Sequence, residues 1–360
     1  MNNRLYRNCY AVVLAGGTGT RLWPISREYL PKQVQKLVNN RTLLENTIER
    51  IAHLFPPERI FISTTKNYLS QVIPLLPSLP KENIIVEPSP RGKAAALTLA
   101  ASVIYKRNKN AVILGLPSDH AVSEVKEFEE TIKRTLNHIL KNPENISLVG
   151  VRPTRADTEL GYVKVKEQNV TASVHTVLEF IEKPNIETAR GYVTSGKYYW
   201  SAAYYCFKAE TFLAIYKKAA PKMLAAVERY LKDNDPAHFE QITDKRHEME
   251  IIDPRRYPVT LIAGNFNWTD IGNWHTLHET LSKTRGLDVV VDGNRHVDIG
   301  SVDCLITSTA EGGKLIATIG LKNIVIVDTP DVLLVIDKDK SNHAKELVEL
   351  LRERGLHKFL

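Results

Sequence analysis

The residues best suited to chemistry lie in a glycine-rich stretch near the start of this 360-residue chain. The letters LAGGTGTRLWP occupy positions 14–24 and directly follow a buried apolar run. Glycines at such a turn let backbone N–H groups approach an anion or the edge of a base without obstruction by a side chain. Arg21 follows the glycines and Lys32 comes shortly afterwards, so two cations lie beside this backbone cradle. The combination favours binding of a polyphosphate whose negative charge grows during a reaction.

Two familiar phosphate-binding patterns are absent from this stretch. A dinucleotide fingerprint needs three glycines spaced G-x-G-x-x-G, but Leu22 stands where the third glycine would follow Gly17 and Gly19. A Walker loop needs Gly-Lys-Ser/Thr, and the stretch has no such triplet. An NAD-dependent oxidoreductase is therefore disfavoured, and a tight glycine turn with solvated Arg and Lys is the remaining structural alternative.

Two aspartates from distant segments are candidate metal ligands. Asp119 follows a buried strand predicted at 111–116, and open α/β sheets bind ligands at the carboxyl ends of their strands. Asp270 lies between Trp268 and Gly272, just before a predicted helix. Magnesium prefers a few carboxylates together with substrate phosphate oxygens, so the two side chains could hold one such ion. The alternative for Asp270 is an N-cap of the helix that follows it.

The sequence Glu182-Lys183-Pro184 ends an alternating strand pattern and offers two polar side chains to a sugar phosphate. A carboxylate accepts hydrogen bonds from sugar hydroxyls, and an adjacent ammonium can hold the phosphate. Neighbouring side chains on a strand point to opposite faces, so both can reach one ligand only if the strand ends or twists there. The alternative is an ordinary surface ion pair.

The elements that position these residues alternate between apolar runs and helical patterns in the first part of the chain. The sequence predicts buried strands at 10–14, 59–63, 83–86, 111–116 and 146–151. It predicts helices at 43–51, 93–105 and 125–140. This alternation implies right-handed crossovers and a parallel sheet.

The character of the sequence changes along the rest of the chain. In the middle, strands are predicted at 162–166, 174–181 and 258–262, and helices at 188–194, 209–231 and 273–281. After about Arg285 the chain has short β-rich segments broken by Gly and Asp, and then a helix at 341–354 capped by Ser341. We therefore predict a catalytic domain over 1–285 and a small β-rich domain with a terminal helix over 286–360.

Composition limits the class of protein. Hydrophobic residues make up 43% and charged residues 25%, which excludes a disordered chain. The net charge of +7 is spread along the sequence, so we expect small phosphorylated anions rather than nucleic acid as partners. There is no apolar stretch of membrane-spanning length and no signal-peptide core, and the three cysteines are far apart. These features predict a cytoplasmic protein without a membrane partner.

The glycine-rich stretch resembles the signature of the sugar-1-phosphate nucleotidyltransferases. Its continuation, WPISR at 23–27, and PKQ at 31–33 look most like the guanylyltransferases of that family that act on mannose 1-phosphate. The resemblance continues through VEP at 86–88 with Arg91, PSDH at 117–120, GY at 161–162, FIEKP at 180–184 and FNWTDIG at 266–272. It covers essentially the whole chain, including the β-rich tail, which the family builds as a short left-handed β-helix.

The resemblance implies an α/β fold with a Rossmann-like, GT-A-like mixed sheet flanked by helices. It implies transfer of GMP from GTP to a sugar 1-phosphate, here mannose 1-phosphate, with release of pyrophosphate and with Mg²⁺ as cofactor. The catalytic residues would be Arg21, Lys32 and Lys183, with Asp119 and Asp270 as metal ligands. Residues contacting the nucleotide would be Leu14, Ala15, Gly16, Gly17, Gly19, Thr20, Glu87, Arg91 and Ser118. Residues contacting the sugar would be Gly161, Glu182 and Ser201.

Two stretches depart from the family pattern. The chain has WSAA at 200–203 where the family usually has Trp-Asn-Ser-Gly, so an asparagine that helps hold the sugar is missing. It also has RGKAA at 91–95 where the family tends toward Arg-Asn-Thr-Ala-Pro. A missing hydrogen bond to the sugar relaxes the choice of sugar, because unpaired polar groups in such sites are costly.

The departures leave two alternative functions open. One is a guanylyltransferase for another sugar 1-phosphate, such as a heptose or a 6-deoxyhexose. The other is a non-catalytic regulatory paralogue that binds the nucleotide sugar, against which the retained Arg21, Lys32, Asp119, Lys183 and Asp270 argue. The β-rich tail and its amphipathic helix could also pack against a second copy, which makes a homodimer an expectation.

Overall fold

The apolar runs of the larger domain form one sheet with helices on both faces. The computed structural model describes residues 6–166, 173–243, 247–285, 289–292, 296–310 and 314–360. The strands of this part are β1 Cys9–Leu14, β2 Ile60–Thr65, β3 Ile84–Glu87, β4 Val112–Pro117, β5 His120–Val122, β6 Ile146–Val151, β7 Tyr162–Val165, β8 Val174–Ile181, β9 Tyr198–Lys208, β10 Val259–Gly264 and β11 Trp268–Asp270. The helices are α1 Leu43–Ala52, α2 Leu69–Val72, α3 Gly92–Arg107, α4 Val125–Lys141, α5 Ile186–Ser195, α6 Ala209–Ala219, α7 Pro221–Asp233, α8 Pro236–Glu240 and α9 Trp274–Arg285.

The sheet is mixed, as the family resemblance implies, and not purely parallel as the alternation alone predicts. Its strand order among the described residues is β3-β2-β1-β4-β9-β6-β10-β8-β7. Neighbours from β3 to β4 run parallel, and so do β6 and β10. Strand β9 lies antiparallel between β4 and β6, while β7 and β8 are antiparallel at one edge. No strand is predicted at 198–208, so the antiparallel strand β9 at the centre of the sheet is not expected from the sequence.

Two apolar cores cover the two faces of this sheet. Alternate residues of β1 belong to different cores, since Val12 packs with α3 on one face while Ala11 and Val13 pack with α1 and α4 on the other. This is the pattern that a strand buried on both faces requires. The parallel strands therefore all present their carboxyl ends at one edge, where the glycine-rich loop after β1 and Asp119 after β4 lie.

The β-rich tail coils between two small sheets. Its elements are β12 Val289–Asp292, β13 His296–Ile299, β14 Cys304–Ser308, β15 Ile316–Ile319, β16 Ile324–Asp328, β17 Leu333–Asp337 and α10 Ala344–Glu353. Strands β12, β14 and β16 pair in parallel in one sheet, and β13 pairs in parallel with β15 in the other. From β12 to β16 consecutive strands thus alternate between sheets, which gives the β-helix-like unit that the resemblance implies, and β17 then pairs antiparallel with β16. The predicted domain boundary at 285/286 adjoins residues 286–288, outside the described part of the chain, and stays a prediction.

The WPISR segment joins the two parts of the chain. Trp23 Nε1 donates to Phe359 O at 2.7 Å, and Trp274 Nε1 donates to Trp23 O at 3.0 Å. The buried guanidinium of Arg27 forms a bidentate pair with Asp331, with N–O distances of 3.0 and 2.7 Å. Trp23 and Arg27 therefore anchor the tail. From the sequence alone they are recognised only as part of the family signature.

Replacing Asp331 with alanine is expected to lower the free energy of unfolding by about 1–3 kcal/mol, because the buried Arg27 loses its bidentate acceptor. Thermal or urea denaturation measures the change. The control is Glu353→Ala, which removes an exposed carboxylate from α10. A loss of stability no larger than that of the control would contradict the anchoring role.

Two predicted helices differ in detail from the structure. The single helix predicted at 209–231 is two helices, because Pro221 lacks a backbone N–H and stands at the first turn of α7 after Ala220 leaves helical geometry. The predicted Ser cap of the last helix is wrong: α10 begins at Ala344, and Ser341 Oγ instead donates to Lys338 O at 2.6 Å. Neither difference affects the edge of the sheet that carries the candidate residues.

Candidate active site

The glycine-rich loop is fixed at its start and open in its middle. Ala15 N donates to Ser63 O at 2.7 Å, while Ala15 O accepts from Gln33 Nε2 at 2.8 Å and from Thr64 Oγ1 at 2.9 Å. These bonds hold the backbone of 14–15 against the next strand. Gly17 is exposed, and a Cβ added there would have no atom within 4 Å. The loop backbone at this point is therefore free to approach a ligand.

Gly19 is required by its conformation and by a close neighbour. Its φ of 72° lies in the left-handed region, and a Cβ added there would collide with Cβ of Lys32. A side chain at this position would displace the lysine from its place under the loop. The short turn Thr20–Leu22 that follows carries Arg21 toward the cavity described below.

Lys32 joins the two aspartates that the sequence analysis singled out. Its Nζ lies 2.6 Å from Asp119 Oδ2, 3.6 Å from Asp270 Oδ1 and 2.6 Å from Ile271 O. Burial acts against its charge, yet Asp119 and Asp270 raise the pKa of Lys32 above its usual value. Burial also opposes ionisation of Asp119, but the ammonium of Lys32 holds the pKa of that carboxyl below its usual range. Lys32 and Asp119 therefore form a charged pair at neutral pH.

The short ribbon formed by β5 and β11 brings the aspartates together, with Asp270 directly opposite His120. Asp119, His120 and Asp270 each offer a ligand atom within 4.8 Å of the others. Asp270 Oδ1 is buried and takes no hydrogen bond from the described residues. Two carboxylates, one of them with a buried oxygen that takes no hydrogen bond from the described residues, are a donor set that suits a hard divalent cation.

The alternative role of Asp270 as a helix cap is not what the structure shows. Thr276 N donates to Asn273 Oδ1 at 2.9 Å, so Asn273 supplies the cap of α9. The side chain of Asp270 is thereby left for the cluster around Lys32. His120 has its Nδ1 3.2 Å from the hydroxyl of Tyr204, and burial lowers its pKa, so the imidazole is neutral.

A cavity of about 320 Å³ adjoins this cluster. The residues that line it are Arg21, Lys93, His120, Glu159, Leu160, Gly161, Tyr162, Phe180, Ile181, Glu182, Lys183, Ser201, Ala203, Glu248, Trp268 and Asp270. Arg21 therefore lines the same cavity as Asp270, while Asp119 adjoins it only through the ion pairs that Lys32 makes with both aspartates. The three predicted sugar-binding residues also lie on this cavity.

Glu159 connects the two cations of the cavity and was missed by the sequence analysis. Its Oε2 lies 3.6 Å from Arg21 Nη1 and 3.6 Å from Lys183 Nζ. Because Glu159 lies on an irregular loop between β6 and β7, no periodicity or motif marked it. Its carboxylate bridges these two cations, a position that a phosphate oxygen could also occupy.

Two irregularities in the strands turn side chains toward the cavity. Strand β8 ends at Ile181 and Lys183 has a φ of 45°, so the neighbours Glu182 and Lys183 both line the same space. In β9 the register against β6 shifts, so that Ser201 and Tyr204 face consecutive residues of β6, and Ala203 has a φ of 53°. Such a bulge re-aims side chains at the edge of a site.

The residues predicted to contact the nucleotide lie around the glycine-rich loop. Glu87 ends β3, accepts from Ser63 Oγ at 2.8 Å, and would lie 3.6 Å from a Cβ on Gly16. Burial raises the pKa of Glu87 to about 7. Ser118 N donates to Leu14 O at 3.1 Å. Arg91 bonds Ser89 Oγ at 3.2 Å before α3 and is not among the residues that line the cavity.

A second cluster missed by the sequence analysis lies on the wall of the cavity that also carries Glu182, Lys183 and Ser201. Glu248, on a helical turn spanning His247–Ile251, forms an ion pair with Lys93 and accepts a hydrogen bond from Tyr205. Lys93, which lies in the departure from the family pattern at 91–95, thus has a protein partner. The sequence offers little indication of a role for Glu248, because this residue lies outside every motif of the family.

The fold and the site define a nucleotidyltransferase: the chain belongs to the nucleotidyl transferase family, whose model matches residues 10–286. A second model, the MannoseP isomerase/GMP-like beta-helix domain, matches residues 294–351. The chain is 31% identical to mannose-1-phosphate guanylyltransferase RfbM of Salmonella typhimurium, over 97% of this chain and 73% of RfbM. It is 32% identical to a mannose-1-phosphate guanylyltransferase of Escherichia coli, over 96% and 76% of the two chains.

A solved structure is similar over nearly the whole chain. It is the crystal structure of mannose-1-phosphate geranyltransferase from Thermus thermophilus, with a TM-score of 0.86 and 29% identity, covering 96% of this chain and 99% of the other. The likeness includes the β-rich tail as well as the catalytic sheet. Among the residues that the structure describes, none of the helices combines the length and the apolar character needed to cross a membrane.

Proposed function

We propose that this protein transfers GMP from GTP to mannose 1-phosphate and releases pyrophosphate. The observation that carries the proposal is the cavity lined by Arg21, Lys183 and Asp270, which Arg21 enters from the turn that follows the glycine-rich loop. Family membership and relatives named for this activity support the choice of substrates.

The attacking group is a phosphate oxygen, which is already an anion, so the reaction needs no protein nucleophile or strong general base. The oxygen attacks the α-phosphorus in line while pyrophosphate leaves. Arg21 and Lys32 neutralise the charge that develops on the triphosphate, and Lys183 orients the sugar phosphate. When phosphates bind, Arg21 and Lys183 exchange the carboxylate of Glu159 for phosphate oxygens.

Magnesium is the metal that we propose for the acidic cluster. Asp119 and Asp270 would hold it, since their oxygens lie close together and Asp270 Oδ1 has no hydrogen bond from the described residues. When bound, the ion would supply positive charge that polarises a phosphoryl oxygen. Lys32 holds the two carboxylates in place through its ion pairs with both.

The remaining roles divide between the nucleotide and the sugar. The proposed nucleotide contacts are the loop residues Leu14, Ala15, Gly16, Gly17, Gly19 and Thr20, together with Glu87, Arg91 and Ser118. The open backbone at Gly17 supports this assignment. The proposed sugar contacts are Gly161, Glu182 and Ser201, which line the cavity on the side of Lys183.

Glu87 is expected to select guanine and to make GTP binding depend on pH. An ionised carboxylate accepts from two guanine N–H groups, and such a pair is worth roughly 1–3 kcal/mol of discrimination. Because the pKa of Glu87 is about 7, the KM for GTP should rise about fivefold between pH 7 and one unit below the pKa. Glu87→Gln should lose this pH dependence and much of the preference for GTP over ATP.

The same ionisation has an opposite effect on folding. Since the folded pKa lies above the unfolded value, the protonated carboxyl stabilises the fold below pH 4.5, and this contribution is lost as pH rises toward about 7. Stability and GTP binding therefore change in opposite directions over this range. Steady-state kinetics across pH 5.5–8.5 measure the effect on GTP binding, and denaturation over the same range measures the effect on stability. Ser70→Ala, an exposed substitution, is the control for Glu87→Gln. A pH-independent KM for GTP in the wild type would contradict the role of Glu87.

A pyrophosphate-release screen across nucleoside triphosphates and sugar 1-phosphates tests the proposed reaction. We expect release with GTP and mannose 1-phosphate, and little with other pairs. Release with a heptose or a 6-deoxyhexose 1-phosphate instead would favour the first alternative, which the departure at Ser201 motivates. Tight binding of GDP-mannose with no release under any pair would favour the regulatory paralogue.

The other partners and the location stay predictions. A homodimer is supported by exposed apolar side chains on the β-rich tail, among them Ile299, Ile319 and Leu333 at 64%, 72% and 61% exposure. A cytoplasmic location is supported by three buried cysteines that are all free.

A further inference from the structure

Glu248 is a fixed negative charge on the wall of the cavity, remote in sequence from every family motif. Its carboxylate shares this cavity with Glu182, Lys183 and Ser201. Burial pushes its pKa upward, but Lys93 and His247 lower the pKa of Glu248 to about 2, so the side chain is ionised at any pH of interest.

Both contacts that the described residues make to this carboxylate fall on the same oxygen. Lys93 Nζ and the hydroxyl of Tyr205 both bond Oε1. The side chain is 21% exposed and lines the cavity, so its second oxygen, Oε2, is left available as an acceptor. A carboxylate held by two partners through one oxygen is already positioned to accept through the other.

The surroundings of Glu248 are rigid. Tyr205 is fully buried, Lys93 Nζ lies 3.2 Å from its hydroxyl, and the ring of His247 packs edge-on against Tyr205 at 4.7 Å. His247 Nδ1 in turn lies 2.6 Å from the hydroxyl of Tyr216. The cluster therefore ties the turn His247–Ile251 to β9 next to the bulge at 201–203.

We infer that Glu248 is a specificity-determining residue whose Oε2 accepts a hydrogen bond from a ring hydroxyl of the sugar phosphate. This inference rests on the proposed function. The chemistry of the cavity supports a hydroxyl rather than a phosphate as the partner, because an ionised carboxylate repels phosphate and Lys93 is already paired with it. The phosphate belongs beside Lys183 and Arg21, on the cationic side of the same space.

The local structure gives a reason why a second acceptor is needed. Ser201 Oγ accepts from Ala203 N at 3.3 Å, so this short side chain is partly committed to the bulge that carries it. Glu248, on the helical turn His247–Ile251, provides an acceptor on a longer side chain than that of Ser201. A site built to hydrogen-bond a hydroxyl rejects analogues that lack it much more strongly than an apolar site does.

The test compares the affinities of GDP-mannose and GDP by titration calorimetry, which needs no turnover. The wild type should bind GDP-mannose more tightly than GDP. Glu248→Gln and Glu248→Ala should reduce the ratio of the affinity for GDP-mannose to the affinity for GDP by about ten- to a hundred-fold, the range for one hydrogen bond to a charged group. Affinity for GDP itself should be unchanged. Glu250→Gln, an exposed change in the same helical turn, is the matched control.

Kinetics with deoxy sugars distinguish a direct contact from a structural role. If Glu248 bonds a hydroxyl, the deoxymannose 1-phosphate that lacks this hydroxyl should have a kcat/KM with the wild type that is lower by about the same factor than that of mannose 1-phosphate. With Glu248→Gln, removing the same hydroxyl should lower kcat/KM little further. The variant should raise the KM for the sugar phosphate and leave that for GTP unchanged. The inference would be overturned if Glu248→Gln raised the KM for GTP and the KM for the sugar phosphate equally. It would also be overturned if, for every deoxy analogue, the loss of kcat/KM from the missing hydroxyl simply added to the loss from the variant.

Failure of the proposed function would look different from failure of this inference. A wild type that releases no pyrophosphate with mannose 1-phosphate contradicts the proposed function. A wild-type preference for GDP-mannose over GDP that survives in both Glu248 variants, or that is absent from the start, overturns the role of Glu248.

Discussion

Asp119→Asn is expected to lower turnover by roughly 10³-fold or more and to abolish the dependence of activity on added Mg²⁺. The substitution removes one of two carboxylates proposed to hold the metal, and charge stabilisation by a metal is worth several kcal/mol in the transition state. It also removes the closest charged partner of Lys32, at 2.6 Å. The measurement is pyrophosphate release as a function of Mg²⁺ concentration.

The metal titration separates the two consequences of this substitution. If Asp119 only anchored Lys32, Asp119→Asn would lower the maximal rate while the Mg²⁺ concentration for half-maximal activity stayed the same. That result would count against its role as a ligand. Asp270→Asn should show a similar metal dependence, whereas Asp233→Asn, at the end of α7, should behave as the wild type.

Arg21→Ala is expected to lower turnover by roughly 10²-fold or more, which is the scale for one lost charge-stabilising donor. Arg21 reaches the cavity from the short turn after the glycines, and its guanidinium pairs with Glu159 at 3.6 Å. The loss should appear mainly in kcat, because the charge on the triphosphate grows as the transition state forms. Arg21→Lys should recover part of the rate.

A matched control distinguishes this effect from a general loss of positive charge. Arg41 is exposed and pairs with Glu49 away from the cavity, so Arg41→Ala should leave turnover unchanged. Near-normal turnover in Arg21→Ala would remove Arg21 from the mechanism. Thermal denaturation of each variant checks that the fold is retained.

Local patterns predicted most of the elements that surround the site. The apolar run before the glycines forms β1, the run before Asp119 forms β4, and the end of the strand at Glu182 lies where the proline indicated. Such features depend on neighbouring residues, because burial of a parallel strand and the freedom of glycine are read within a few positions. The strand at 198–208 escaped prediction, and with it the bulge that turns Ser201 and Ala203 toward the cavity.

By itself the sequence determined which residues carry the charge and where in the chain they stand: the glycines with Arg21, then Lys32, the two aspartates, and Lys183. Only the tertiary structure decided that Lys32 lies between Asp119 and Asp270, that Glu159 pairs with Arg21 and Lys183, and that Glu248 lines the same cavity as Lys183. The physical reason is that these contacts join loops far apart in the chain. Their distances are set by how the strands pair and where a strand bulges, and no local periodicity contains that information.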